Sequence, residues 1–346
     1  MKPAIIITGR SGRIGSHLAE KLSAQYTVVG LDLVPPQDKS MDEIFFSVDL
    51  ESQESVHAAF RGIEKTCGQT IASVIHLAAY YSFTGEHPEK YDSITINGTA
   101  KILDELKQFK VQQFIFSSTM LVHRPCKPGE KIHEDWPIEA KWDYPLSKIK
   151  TEKLLLEQHR EIPLVILRIA GVYDDHCHSI PISNQIQRIY EKQLTSKLFP
   201  GNLSHGAAFI HMDDLVDALE LCIEHRSDLP HETSLILGED KTLSYDVLQR
   251  KISFLLFGKE MTTFRVAKII AKIGAYLQDK LPFLPESFIK PWMIDLADNN
   301  YCLDISRARK LLGWSPKRSL ENTLPKMIAD LKANPGSWYK KNNLKR

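Results

Sequence analysis

The stretch Ile5-Ile6-Ile7-Thr8-Gly9-Arg10-Ser11-Gly12-Arg13-Ile14-Gly15 decides the fold. Residues 4–7 form a short apolar, β-branched run that is typical of a buried strand, and helical spacing follows from Ile14 to Leu22. A strand, a glycine turn and a helix are the context that a dinucleotide fingerprint requires. The glycines permit the tight turn and let backbone N–H groups approach a pyrophosphate at the helix N-terminus. The opening residues therefore predict a dinucleotide-binding unit.

A second apolar run, Thr27 to Leu31, ends on Asp32. A carboxylate at that position accepts hydrogen bonds from the adenosine ribose hydroxyls and repels a 2′-phosphate, which favours NAD over NADP. Arg10 and Arg13 argue the other way, because either guanidinium could pair with a phosphate. We give Asp32 more weight, because its carboxylate would lie where the extra phosphate goes. NAD is the predicted cofactor.

Composition excludes several classes of protein. The chain has 346 residues, enough for a large core, with 25% charged and 43% hydrophobic residues and a net charge of +1, so no nucleic-acid partner is predicted. Its five cysteines show no CxxC spacing, which argues against a disulfide framework or a metal site and favours a reducing cytoplasm. We find no signal peptide and no apolar run long enough to span a bilayer, so no integral membrane segment is predicted.

Apolar strand-like runs alternate with helical patterns through the first half of the chain, and helices are predicted at 51–61, 89–108 and 144–159. Such alternation predicts an α/β fold, a doubly wound parallel sheet of the Rossmann type with a smaller, mostly helical substrate-binding lobe. The predicted boundaries are a Rossmann domain at 1–170 with 205–240 returning to it, a lobe at 171–204 and 241–333, and a basic tail at 334–346. We expect 171–204 to be irregular, 209–225 to be strand–turn–helix, the tail to be solvated, and the amphipathic stretch 264–279 to be core.

Three side chains are candidates for catalysis. Tyr144 and Lys148 are four residues apart at the start of a predicted helix, so they share one face. An ammonium beside a phenol favours the phenolate, which predicts a lowered pKa for Tyr144 and a general acid–base role near neutrality. Thr119 ends the strand Phe114–Thr119, where its hydroxyl could hydrogen-bond the reacting oxygen.

Ten motifs occur in a fixed order along the chain: Thr8-Gly9-x-x-Gly12-x-x-Gly15, Asp32, Asp49-Leu50, His76-Leu77-Ala78-Ala79, Asn97-Gly98-Thr99, Ser117-Ser118-Thr119, Tyr144-x-x-x-Lys148, Leu167-Arg168, Phe209-Ile210-His211-x-Asp213-Asp214 and Leu312-Gly313-Trp314-Ser315-Pro316. In this order they resemble an extended short-chain dehydrogenase/reductase of the NAD-dependent epimerase/dehydratase family, over most of the chain.

The resemblance implies a role for each matching residue. Tyr144 is the implied acid/base, Lys148 its partner and Thr119 the hydroxyl donor. The implied cofactor site consists of Gly9, Gly12, Arg13, Ile14 and Gly15 at the pyrophosphate, Asp32 at the adenosine ribose, Asp49 and Leu50 at the adenine, Leu77, Ala78, Ala79, Asn97 and Ser117 along the cofactor, and Tyr144 and Lys148 beside the nicotinamide. The family commonly forms homodimers through the long helices of this domain.

Plainer explanations stand beside some of these roles. Asp49 could cap the following helix, and Asn97 could satisfy local backbone groups. Residues 174–178 contain two histidines, a cysteine and two aspartates, yet their spacing favours a mobile loop at the cleft rim over a metal site. Arg168 is predicted to be a structural ion-pair residue.

The sequence also departs from the sugar-nucleotide enzymes of the family. Met120-Leu121 follows Thr119 where dehydratases carry an Asp-Glu pair, and Ala207-Ala208 stands where many epimerases carry an arginine that grips the diphosphate. The aromatic and apolar residues Tyr80, Tyr81, Phe83 and Met120 would line the cleft instead. We therefore predict an NAD-dependent oxidoreductase that interconverts a small-molecule secondary alcohol of apolar type and its ketone. The alternatives are a nucleotide-sugar epimerase, to which Arg188 could supply a diphosphate contact, and a non-catalytic dinucleotide sensor.

Overall fold

The computed structural model describes residues 2–37, 44–82, 86–271, 294 and 297–345. Its strands are β1 Ala4–Thr8, β2 Thr27–Asp32, β3 Ile44–Ser47, β4 Thr70–His76, β5 Lys110–Val111, β6 Phe114–Thr119, β7 Leu164–Ile169, β8 Gly171–Tyr173, β9 Leu198–Phe199, β10 Phe209–His211, β11 Glu232–Leu237 and β12 Phe264–Arg265. Its α-helices are α1 Arg13–Leu22, α2 Gln53–Cys67, α3 Asn97–Leu106, α4 Asp143–Gln158, α5 Ile180–Tyr190, α6 Met212–Glu224, α7 Tyr245–Phe257, α8 Ser306–Leu312, α9 Leu320–Ala333 and α10 Pro335–Lys341. A π-helical turn, Tyr91–Ile96, leads into α3.

The central sheet confirms the predicted fold class. Its strands follow the order β11-β7-β6-β4-β1-β2-β3, with β5 also paired to β4, and each described pairing is parallel. The chain runs outward from β1 through β2 and β3, then returns to β4 on the other side of β1. The strand order therefore reverses between β1 and β4, and the carboxyl ends of these two strands form the crevice where such sheets bind ligands.

Helices cover both faces of the sheet, because its strands are apolar on both sides. On one face, α1, α6 and α8 contribute side chains such as Leu18, Leu219 and Leu312 to a buried cluster. On the other, α2, α3 and α4 contribute Phe60, Ile102 and Leu155 among others. This packing fixes the position of α4, which begins with the predicted Tyr144 and Lys148 pair.

A third buried cluster contains residues of α5, α7, α9 and α10. The prediction that 171–204 is irregular is therefore wrong, because β8 and α5 lie there and Ile182 and Ile186 are buried in this cluster. Pro181 indicated irregular structure, although a helix tolerates a proline in its first turn, as α5 does. The expectation that the amphipathic stretch 264–279 is core is wrong for its described part, since Phe264–Arg265 is the exposed strand β12 and Ile269 and Ile270 are exposed. Residues 272–279 lie outside the described residues.

The strand–turn–helix predicted at 209–225 is confirmed as β10 followed by α6, although β10 pairs with β8 outside the central sheet and β11 is the strand that returns to it. The predicted solvated tail is wrong. Trp338 and Tyr339 of α10 are 0% and 3% exposed, so the aromatic residues bury the segment while its lysines face outward. No helix among the described residues is long and apolar enough to cross a membrane.

Candidate active site

A groove of about 450 Å³ lies at the carboxyl ends of β1, β2 and β4. It is lined by Thr8, Gly9, Ser11, Gly12, Leu31, Asp32, Leu33, Val48, Asp49, Leu50, Leu77, Ala78, Ala79 and Ile94. Predicted cofactor residues from four separate motifs therefore meet in one cavity, at the point where the strand order reverses.

At the glycine loop, backbone segments lie so close together that there is no room for side chains. Gly9 has φ +70°, and a Cβ on it would lie 2.8 Å from the backbone nitrogen of Ala78. A Cβ on Gly15 would lie 2.3 Å from the carbonyl oxygen of Gly9, so Gly15 acts by close packing. Gly12 precedes α1 without a side-chain cap, and the first turn of α1 carries no acidic residue. The N-terminal N–H groups of α1 thus suit an anion, as a pyrophosphate requires.

Asp32 is held at the edge of the groove by backbone donors. Its carboxylate accepts hydrogen bonds from the N–H of Ser11 at 2.9 Å and from that of Leu33 at 2.7 Å. The third and longest is from Val34 N at 3.5 Å. Arg10, which argued for a phosphate, is 2% exposed, and its guanidinium donates to Ser16 Oγ. An acid at the ribose position and a buried Arg10 fit NAD.

Other predicted cofactor residues lie outside the walls of this groove. Arg13 donates to the carbonyl of Lys341 at 3.3 Å, and burial lowers the pKa of its guanidinium. Ile14 packs against the sheet, and Asn97 is exposed at the first residue of α3 while Ile94 forms the wall nearby. Asp49 lines the groove but does not cap α2, because Ser52 is the N-cap residue.

Thr119, Tyr144 and Lys148 come together at the carboxyl end of β6. The Tyr144 hydroxyl hydrogen-bonds with the side chain of Thr119. Lys148 is 2% exposed, and its ammonium donates to the carbonyl of Ser117 at 2.7 Å while lying 6.0 Å from the centre of the Tyr144 ring. Ser117 in turn donates from its hydroxyl to the carbonyl of His76, which ends β4 at the groove. The arrangement links the predicted catalytic residues to the groove.

The pKa of Tyr144 corrects the prediction. Burial raises this pKa to about 12, and the hydrogen bond with Thr119 lowers it only in part. Burial also lowers the pKa of Lys148 to about 7, against the opposing charge of Glu152. The expected drop in the phenol pKa fails because desolvation raises this pKa, while the Lys148 ammonium is directed at the Ser117 carbonyl rather than at the phenol.

A buried ionic group lies one turn beyond Lys148 on α4. Glu152 accepts a hydrogen bond from the Ser118 hydroxyl and two from the guanidinium of Arg168, at 3.2 and 2.7 Å. Arg168 also donates to the carbonyl of Glu134. The prediction that Arg168 is a structural ion-pair residue is confirmed, and the pair ties α4 to β6 and β7 directly below the candidate catalytic residues.

Aromatic rings surround the Tyr144 phenol. The ring of Tyr81 lies edge-on to it at 4.8 Å, and that of Trp142 lies at 5.5 Å. Tyr81 was predicted to line the cleft, whereas Trp142 was missed, although its position two residues before Tyr144 could have indicated it. Tyr80 instead packs on Tyr91 and donates its hydroxyl to Glu86. Met120 is buried, and Phe83 lies outside the described residues.

The loop 174–178 is anchored, contrary to the expectation of a mobile segment. Cys177 is fully buried, His176 Nδ1 lies 3.0 Å from Asp330, and His178 Nδ1 lies 2.5 Å from Asp174. Each histidine therefore has its own carboxylate partner.

Several known proteins are similar to this chain in sequence. The chain is 26% identical to an uncharacterised UDP-glucose epimerase of Bacillus subtilis, over 94% of this chain and 97% of that protein. It is 22% identical to the sterol-4-alpha-carboxylate 3-dehydrogenase of Saccharomyces cerevisiae, again over 94% and 97%. It is 24% identical to mouse 3 beta-hydroxysteroid dehydrogenase type 7, over 76% and 77%.

Solved structures show the same fold. The UDP-glucuronic acid 4-epimerase of Bacillus cereus, in complex with UDP-glucuronic acid and NAD, superposes with a TM-score of 0.71 at 22% identity, over 95% of this chain and 99% of that one. The family model of the NAD dependent epimerase/dehydratase family matches residues 5–238. With the glycine loop, Asp32 and the reversal of strand order at one groove, the chain belongs to the NAD-dependent epimerase/dehydratase family of enzymes, and its cofactor is NAD.

Proposed function

We propose that the protein interconverts a secondary alcohol of apolar type and the corresponding ketone, with NAD as the hydride carrier. The observation that carries this choice is the aromatic wall, Tyr81 and Trp142, packed against the Tyr144 phenol. Rings at this place offer apolar contact area to a substrate. Ala208, where many epimerases carry an arginine, is buried and offers only its carbonyl, which accepts from Gly171 N.

In the proposed reaction Tyr144 moves the proton of the substrate oxygen. At neutral pH the free protein holds the phenol protonated, because its pKa is raised to about 12, and this is the form that gives a proton to a carbonyl oxygen. Thr119 shares the hydrogen bond that orients that oxygen. The cofactor, when bound, supplies the redox chemistry by accepting or returning a hydride.

Lys148 has two proposed roles. It would bind the nicotinamide ribose, and in its charged form it would stabilise the phenolate that oxidation of the alcohol requires. The carbonyl of Ser117 and the ring of Phe116, 4.7 Å away, hold it in position. The proposed cofactor contacts of Gly9, Gly12, Asp32, Asp49, Leu50, Leu77, Ala78 and Ala79 follow the walls of the groove.

Location and assembly complete the proposal. Five free cysteines support a reducing cytoplasm. A homodimer through α3 and α4 is supported by the exposed apolar side chains Leu146 and Leu156 on α4. Small molecules are the proposed substrates, and the net charge of +1 gives no support for a nucleic-acid partner.

The test is a substrate panel on the purified full chain with NAD. Net NADH formation with a sterol-like or other apolar secondary alcohol is the expected result, and Trp142→Ala should raise KM for that alcohol while NAD affinity stays unchanged. Interconversion of UDP-sugar isomers without net NADH would establish the epimerase alternative, which the similarity to UDP-glucose epimerases favours. Tight NAD binding with no turnover on alcohols, ketones or sugar nucleotides would support the non-catalytic sensor.

A further inference from the structure

A cluster of two histidines and a glutamate lies at the end of the sheet opposite the candidate active site. His159 is the C-cap residue of α4, Glu232 is the first residue of β11, and His231 directly precedes it. The backbone of His231 accepts from Leu164 N, the first residue of β7, which places the cluster at the amino ends of these parallel strands. One ligand-type atom from each of the three side chains lies within 4.8 Å of the others.

Both ring nitrogens of His159 face acceptors. Nδ1 lies 2.8 Å from the carbonyl oxygen of Ile162, and Nε2 lies 3.2 Å from Oε1 of Glu232. A neutral imidazole has a single N–H, so one of these contacts needs an added cation, either a proton on the ring or a metal ion between Nε2 and the carboxylate. His159 is 5% exposed, and a buried charge of this kind needs close partners.

The position of His231 favours a metal ion over a proton at this place. Its ring lies 5.2 Å from that of His159, between centroids, and brings a second imidazole to the same point. An imidazolium–carboxylate pair gains nothing from another base, whereas a metal ion gains a third ligand. With metal–nitrogen and metal–oxygen bonds of about 2.0–2.2 Å, two ligands of one tetrahedral zinc ion are roughly 3.3 Å apart, close to the separation of His159 Nε2 and Glu232 Oε1.

The surroundings of His159 suit a ligand. A metal-binding histidine commonly donates its other ring N–H to a backbone carbonyl, which fixes the tautomer, and Ile162 supplies that carbonyl. The N–H of Ile162 donates back to the carbonyl of His159 at 3.0 Å, so the turn is held from both sides. Imidazole and carboxylate ligands without a thiolate favour zinc, nickel or copper over calcium and magnesium.

We propose that His159, His231 and Glu232 bind a divalent transition metal ion, with zinc as the best match, and that the ion clamps the far end of α4 to the start of β11. His231 and Glu232 are exposed, so a fourth position is open to water. We assign the site a structural role because it lies at the end of α4 that is far from the candidate catalytic residues.

The experiment is calorimetric titration of the full chain, without an affinity tag and in a thiol-free reducing buffer, with zinc chloride. We compare the wild type with His231→Gln and with His225→Gln, a matched change of a half-exposed histidine that pairs with Asp228. The expected result is one zinc per chain, with affinity lowered on the order of tenfold to 100-fold in His231→Gln and unchanged in His225→Gln. His231 is exposed, so its replacement should leave the fold intact.

Cobalt then identifies the ligands. The cobalt-loaded wild type should show weak visible bands of a nitrogen–oxygen site and no thiolate charge-transfer band in the near ultraviolet, and His231→Gln should reduce the visible bands. Equal zinc affinity in the wild type and His231→Gln, a thiolate band, or no zinc binding would overturn the proposal. Because the cluster lies away from the groove, none of these results bears on the proposed oxidoreductase.

Discussion

The groove at β1 and β4 and the corner around Tyr144 form adjacent parts of one candidate site, yet they are built differently. The groove consists largely of backbone: the glycine turn, the uncapped start of α1 and the N–H groups that hold Asp32. The corner consists of the packed side chains of Thr119, Tyr144 and Lys148, of which Thr119 and Lys148 are buried, and desolvation shifts the pKa values of both Tyr144 and Lys148. A site made of backbone is specified by local glycine spacing, whereas the electrostatics of a site made of side chains depend on everything packed around them.

The largest expected effect tests the corner. Tyr144→Phe removes the hydroxyl that we propose moves the proton and keeps the ring, so turnover should fall by about 10²–10⁴-fold, the usual contribution of general acid–base catalysis. NAD affinity should stay nearly constant, because Tyr144 does not line the groove and the residues that do are unchanged. Steady-state kinetics and NAD titration measure the two quantities. Tyr80→Phe is the control, since that hydroxyl donates to Glu86 outside the corner. Retained turnover in Tyr144→Phe would refute its role.

The next effect tests the groove. Gly9→Ala places a Cβ 2.8 Å from Ala78 N in a left-handed conformation, so we expect NAD affinity to fall by more than about tenfold and the free energy of unfolding to drop by roughly 2–4 kcal/mol. Gly258→Ala is a matched control, because Gly258 has φ +71° with no atom within 4 Å of its Cβ position. It should cost only the conformational part, about 1 kcal/mol. Equal losses of stability for Gly9→Ala and Gly258→Ala in chemical denaturation, with NAD binding retained, would show that the close approach of Gly9 to Ala78 is unimportant.

A smaller effect tests cofactor choice. Asp32→Asn removes the negative charge at the proposed ribose position but keeps an acceptor for the backbone N–H groups. Hydrogen bonds to charged groups contribute about 1.5–3 kcal/mol, so NAD affinity should fall by about ten- to 100-fold. Affinity for NADP should fall less, because the repulsion of its 2′-phosphate is relieved. Fluorescence titrations with both cofactors measure this, with the exposed Asp228→Asn as control. An unchanged NAD-to-NADP ratio would contradict the assignment.

The sequence predicted much of this fold because its signals are local. The strand runs, the glycine spacing of Gly9 to Gly15 and the Leu167-Arg168 pair lie in short segments, and each segment occupies its predicted place. Helix α10 was missed because it depends on distant partners, and helix α5 was missed because Pro181 lies in its first turn. Trp338 lies in a basic segment that predicted a solvated tail, but its ring is buried in the cluster that also contains residues of α7 and α9.

The candidate site was predicted unevenly for the same reason. Tyr144, Lys148 and Thr119 meet as their motif indicates, but the sign of the Tyr144 pKa shift was wrong, because no motif reports how much water reaches a phenol. The direction of the Lys148 ammonium depends on the Ser117 carbonyl, which belongs to another strand. The cluster of His159 with Glu232 has no sequence spacing to find, since its members come from distant parts of the chain.

His76 lies between the two regions, and its expected effect appears only on acidification. Its Nδ1 accepts from the Thr8 hydroxyl at 2.7 Å, and its Nε2 lies 2.9 Å from Thr99 Oγ1, which itself donates to the carbonyl of Thr95. This chain of donors and acceptors fits a neutral imidazole. Complete burial, aided by the charge of Lys148, lowers the pKa of His76 from 6.5 to about 3.

A base whose pKa is lowered on folding binds fewer protons in the native than in the unfolded protein. The free energy of unfolding should therefore fall as the pH drops from 6.5 towards about 3, by up to about 1.4 kcal/mol per pH unit from this residue. Urea denaturation across that range should give a shallower pH dependence for His76→Gln than for the wild type, whatever its absolute stability. His225→Gln, a change at a half-exposed position, should keep the wild-type slope. Equal slopes of unfolding free energy against pH for the wild type and His76→Gln would mean that water reaches the imidazole. The region between the groove and the corner would then be hydrated.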